Sequence, residues 1–192
     1  MRAKMRSHIA INLSPLGLLY SQSLRIIALA VGGAIAYGIV HDQITIRVCP
    51  EYFTVAHPHI LNTGSLTLIA LGWGVVATWW GGLAAGILFA LAARAGSPEK
   101  FTWRRFVRPA VVLLLVMGVC ATVAGFIGHW MSSTGQIPSV QAWGLMLPVE
   151  KQPAFMADLF AHSISYLVGG MGSVTIALVV AWQRFARAAE LS

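Results

Sequence analysis

Charge is scarce in this chain. Of its 192 residues, 10% are Asp, Glu, Lys or Arg, against about 25% in a soluble globular domain, and only six are acidic. So little charge does not suit a water-solvated surface. Cysteine is also rare. Cys49 and Cys120 are the only two, and a straight helix would put Cys120 about 13 Å below the boundary where Cys49 sits. A disulfide needs Cα atoms within about 7 Å, so the two are not expected to pair. Cys120 reads as a small packing residue. Cys49 reads first as a thiol buried by its loop, with a soft-metal contact or a bridge between subunits left open. Familiar catalytic signatures are missing as well: no HExxH, no GxSxG, no GxxxxGK[ST], and no GxGxxG after a strand.

What is present is apolar, at 57% of the chain. Four runs of about 20 residues or more are each long enough to cross a hydrocarbon layer of about 30 Å. They lie at 24–40, 66–93, 107–130 and 159–182. No strand-like alternation competes with them, so the fold class is all-α: a single transmembrane domain over residues 1–192, a polytopic membrane four-helix bundle.

Eleven of the thirteen cations gather at Arg2, Lys4, Arg6 and Arg25, at Arg94, Lys100, Arg104, Arg105 and Arg108, and at Arg184 and Arg187. The positive-inside rule then places both termini in the cytoplasm and the connections 41–65 and 131–158 outside. Topology accounts for the net charge of +7, so nucleic acid is not an expected partner. Lipid is, and a second copy or a membrane complex stays open. The first span reads as a retained anchor rather than a cleaved signal peptide.

Small residues recur every four positions within the spans: Ala30, Ala34 and Gly38; Gly74, Thr78, Gly82, Gly86 and Ala90; Ala121 and Gly125; Gly169 and Ser173. Such ladders let helices approach closely where hydrophobicity cannot drive association. Each of three histidines continues the small face of its span. Counted along the helices, His41 lies about 24 Å from Arg25, His129 about 31 Å from Arg108 and His162 about 33 Å from Arg184. If those faces meet, three imidazoles converge at the outer mouth.

The stretch HDQITIRVCPEYFTVAHPH, residues 41–59, adds Asp42, Glu51, His57 and His59 to the same side. Asp158, four residues before His162, is expected as a ligand or as the group that orients the imidazole. Topology explains the missing cations there, but not five of six histidines and four of six acids gathered outside. The expected metal ligands are His41, His129, His162 and Asp158, with Glu51 and His57 from the loop. Zinc, iron or copper suits this set. The Val140 to Leu147 portion, containing Trp143, is expected to roof the cluster.

His41-Asp42-Gln43, Cys49-Pro50-Glu51-Tyr52-Phe53-Thr54 and His57-Pro58, followed by Leu71-Gly72-Trp73-Gly74 and Ala77-Thr78-Trp79-Trp80, resemble a group of uncharacterised bacterial four-span integral membrane proteins. The resemblance covers most of the first two spans. It implies a bacterial inner-membrane protein and carries over no catalytic role.

Three function classes fit these residues: a metal site serving metal handling or a metal-dependent reaction, a b-type haem bundle for electron transfer, and a non-catalytic subunit or small transporter without metal.

Overall fold

The structure, a computed structural model, describes residues 15–96, 99–144 and 146–190. Arg2, Lys4 and Arg6, which count toward orientation, lie outside the described residues, as does the side chain of Trp143. All regular structure among the described residues is helical: α1 (Pro15–Val48), α2 (Pro50–Thr54), α3 (Leu66–Val76), α4 (Trp79–Arg94), α5 (Arg104–Ser133) and α6 (Gln152–Glu190), with two short 3-10 turns between α5 and α6. Four stretches are long and apolar enough to cross a membrane: Ser21–Val48, Leu66–Arg94, Arg104–Ser133 and Val149–Glu190. The outward faces of α5 and α6 display Leu115, Val119, Phe126, Met171 and Leu178, side chains that hydrocarbon solvates and water does not.

The helices outrun the apolar runs that announced them. The first span was expected to end near Val40, yet α1 continues two turns past His41. Nothing between His41 and Val48 breaks a helix. Thr45 Oγ1 donates to the His41 carbonyl at 3.1 Å, Arg47 donates to the Gln43 side chain, and the next proline is Pro50 at the first position of α2. Likewise α6 begins before Asp158. His41, Asp42, Asp158 and His162 therefore all lie inside helices, with His41 about 10 Å short of the α1 end.

The second span is divided. Helix α3 stops at Val76 and α4 starts at Trp79. Thr78 at the break turns its hydroxyl back onto the Gly74 carbonyl at 2.5 Å. Tyr166 of α6 donates to the Ala77 carbonyl at 3.1 Å, satisfying a backbone group at a depth where water is scarce.

The small-residue ladders pack as expected between α1 and the α3–α4 pair. A Cβ on Gly74 would lie 2.6 Å from the Ile39 backbone, and one on Gly82 would lie 2.8 Å from Val31 Cα. Only glycine permits that approach at either position. Around the bundle, α1 packs on α3 and α4, α4 on α6 and α6 along α5, while α5 returns to α1 only lightly.

Each end is closed by an apolar cluster. The one at the α2 end joins Ile46, Tyr52, Phe53, Val140, Leu147 and Phe155, and the one at the opposite end Ile26, Phe89, Phe101, Phe106 and Val180. At that opposite end Arg184, 1% exposed, donates to the carbonyls of Ala92, Ala95 and Glu99 at 2.7–3.0 Å. It thus occupies carbonyls in and just beyond the last turn of α4, which a helix end leaves unpaired. Its sequence position had suggested a topological charge alone.

Candidate metal centre

Asp42 and His162 come from residues 120 apart in sequence because the bundle sets the outer third of α1 beside the first turns of α6. His162 Nε2 lies 3.2 Å from Asp42 Oδ1. The other ring nitrogen, Nδ1, lies 2.8 Å from the Asp158 carbonyl oxygen. A carbonyl oxygen only accepts, so Nδ1 carries the proton. In a neutral imidazole the Nε2 lone pair then faces a carboxylate oxygen, an arrangement that needs either a further proton or a cation between the two.

His41 meets the His162 ring edge-on, with centroids 4.5 Å apart and planes 78° from parallel. Its Nε2 is buried and has no hydrogen-bond partner. One ligand atom from each of His41, Asp42 and His162 can be chosen so that all lie within 4.8 Å of one another. With metal–ligand bonds of about 2.0–2.2 Å, opposite ligands of one ion stand at most about 4.4 Å apart. Side-chain rotation by at least a few tenths of an ångström is what closure requires. The Asp158 carbonyl would then hold the His162 tautomer that leaves Nε2 free to coordinate, which is the usual task of a group behind a metal-bound histidine.

Electrostatics favours a cation here. Asp42 and Asp158 are 4% and 1% exposed, close enough to repel each other, and Asp158 Oδ2 has no hydrogen-bond partner. Both cations on this side are engaged elsewhere: Lys151 pairs with Glu51 at 3.2 Å, and Arg47 bonds Gln43 and Thr67. A buried carboxylate without a cationic side chain is costly, and each of the two is relieved either by taking up a proton or by a bound cation.

Of the expected ligands, the structure brings together His41 and His162, with Asp158 beside them. It adds Asp42, adjacent to His41 in the chain and absent from the expected ligand set. A signal for it existed: Asp42 is the next rung of the Ala30, Ala34, Gly38 ladder.

His129 is not brought in. It is exposed and hydrogen-bonded to Ser133. The buried face of α5 runs through Ala121, Ala124 and Gly128, and one further residue turns the helix by about 100°. A Cβ on Gly128 would touch Phe160, whereas His129 faces away. Three histidines were expected to converge, and two do.

The loop residues form a lid instead of a ligand set. Tyr52 stacks on His162 with centroids 4.6 Å apart and also packs on His57 at 4.8 Å. The His57 Nδ1–H donates to the Tyr52 carbonyl at 2.7 Å, and its ring rests on Trp73, so His57 reaches the group through Tyr52 and Phe53 rather than directly. His59 is exposed. Burial works to raise the Glu51 carboxyl, yet hydrogen bonds from its own backbone, Lys151 and Cys49 leave it below the usual carboxylate range. Cys49 is 1% exposed, and burial pushes its thiol up to about 12, so it serves as a packing residue rather than a thiolate. Cys49 and Cys120 are both free. Val140 and Leu147, from the segment expected to roof the group, are buried in the apolar cluster beside Tyr52 and Phe53, and the rings that lie against His162 are those of Tyr52 and Phe53.

Compared with family models, curated proteins and solved structures, the chain matches nothing.

Proposed function

We propose that this chain is a multi-pass membrane protein that binds one divalent transition-metal ion, zinc, iron or copper, through His41 Nε2, an Asp42 carboxylate oxygen and His162 Nε2. Asp158 supplies the carbonyl that orients His162 and a second neutralising carboxylate. The observation that carries the reading is the orphaned pair of donors: His41 Nε2 buried without a partner and His162 Nε2 aimed at Asp42 with its other nitrogen already committed. Three protein ligands leave a coordination position open, as in metal sites that activate water or polarise a substrate. Metal handling and metal-dependent chemistry both use such a site.

The distribution of cations supports an orientation with both termini cytoplasmic, so that the site opens toward the outer face, and the resemblance of residues 41–80 supports a bacterial inner membrane. Haem ligation fits less well. Two imidazoles on opposite faces of a haem iron, each about 2 Å from the metal, hold their centroids more than about 6 Å apart, and His41 and His162 are at 4.5 Å.

Protein purified in detergent without chelators is expected to carry about one metal ion per chain and no Soret band. His41→Ala and His162→Ala are each expected to lose the metal. Metal-free wild-type protein, with the two substitutions altering only stability, refutes the proposal.

A further inference from the structure

Inward of the metal group, the four long helices enclose a cavity of about 530 Å³. Its outer end is formed by His41, Asp42 and His162, and its inner end by Leu29, Leu88 and Phe89. From Asp42 to Leu29 along α1 is about 20 Å, so the cavity is long for its volume of about 530 Å³. That shape suits one extended hydrocarbon chain rather than a macrocycle. The walls are apolar, apart from the outer end and a few hydroxyls along the way, among them the Tyr37–Ser165 pair at 2.7 Å. Its volume is in the ordinary range for a small-molecule site. Its exposed lining residues, Trp80 and Ala84 of α4 and Tyr166, Gly170 and Val174 of α6, put the lateral way in between α4 and α6.

We infer that this slot binds a single-chain lipid with a neutral, oxygen-bearing head, such as a prenyl quinone or a long-chain alcohol. The chain lies along α1 and the head reaches the His41, Asp42 and His162 group. The slot's narrowness selects one chain, which excludes a two-chain phospholipid. The head is neutral because the end it reaches holds carboxyl groups while Lys151 and Arg47 are engaged elsewhere, so an anionic head would lie buried without a cationic partner. The head oxygen meets the open position of the ion, and only this contact rests on the metal reading; the chain slot stands without it.

Three glycines make the test clean. An added Cβ meets nothing within 4 Å at Gly81, Gly170 or Gly118, so a side chain can start at each without displacing a neighbour, and leucine improves helix propensity. Gly81 and Gly170 line the slot, and Gly118 does not. The full chain in phosphatidylcholine nanodiscs is irradiated with diazirine-bearing analogues of a decyl quinone, a long-chain alcohol and palmitate, and labelled residues are mapped by mass spectrometry. Labelling of slot residues by the quinone or the alcohol, competed by the unlabelled parent compound, is the expected result. It should fall about tenfold in Gly81→Leu and Gly170→Leu and be unchanged in Gly118→Leu. Labelling confined to the lipid-facing side chains, labelling of the slot by palmitate alone, or equal labelling in Gly170→Leu and Gly118→Leu overturns the inference. His162→Ala separates it from the metal reading. Metal lost with slot labelling retained leaves the slot standing, whereas metal bound with no slot labelling overturns this inference alone.

Discussion

At His162 the two ring nitrogens have different partners, and the function proposed depends on that division. Nδ1 is tied to the Asp158 backbone, so Asp158→Asn keeps the carbonyl that orients the ring and removes only the buried carboxylate. Metal affinity is expected to fall by about 10–100-fold, the usual effect of losing a supporting group, as measured by competition with a colorimetric chelator. Asp42→Asn is expected to fall further, because it removes a ligand. His129→Ala is expected to leave metal content and melting temperature unchanged; loss of metal there would restore the three-histidine arrangement that the sequence suggested. Cys49 provides a separate check. With its thiol raised to about 12 and the side chain buried, alkylation of the folded protein at pH 8 is expected to be far slower than after unfolding. Rapid modification of the native protein would contradict the packing of the lid.

At the scale of elements, apolar run length made the four spans legible, and the four-residue ladders marked packing faces on the helices without saying which helices pair. Phase was harder to read. A rung repeated every four residues drifts by about 40° per step on a helix of 3.6 residues per turn, so the Ala121 and Gly125 pair pointed at His129 while the packed face had moved to Gly128. The break at Ala77–Thr78 had no proline or charge to announce it, and its stabilising partner, Tyr166, comes from another helix. Two substitutions probe these contacts. Gly82→Val puts side-chain atoms where Val31 and Ala34 lie and is expected to cost about 1–3 kcal/mol through overpacking. Arg184→Ala removes three charge-assisted bonds to carbonyls around the α4 end and is expected to cost on the order of 2 kcal/mol or more. The exposed Arg187, which approaches Glu99 at 3.9 Å, is expected to contribute little when replaced. Thermal unfolding in detergent orders the three.

Over the whole molecule, a polar layer crosses one end of an apolar bundle and is covered by aromatic side chains from α2. The sequence disclosed the layer through its surplus of histidines and acids, and it disclosed two of the three side chains proposed to hold a metal, His41 and His162. It did not disclose that Glu51 is neutralised by Lys151 or that His57 is held behind Tyr52, because loop partners depend on how residues 49–65 and 134–151 fold over the helices. A metal that binds the folded chain and not the unfolded one raises the melting temperature. A chelator is therefore expected to lower the melting temperature of the wild-type protein and to leave that of His162→Ala unchanged. The most direct measurement is X-ray absorption at the edge of the metal carried by the purified protein. A ligand shell of nitrogen and oxygen only, with the scattering signature of two imidazoles that falls to one or none in His41→Ala, is the expected result. A sulfur in the shell, or an imidazole signature untouched by His41→Ala and His162→Ala but lost in His129→Ala, would place the metal elsewhere and contradict it.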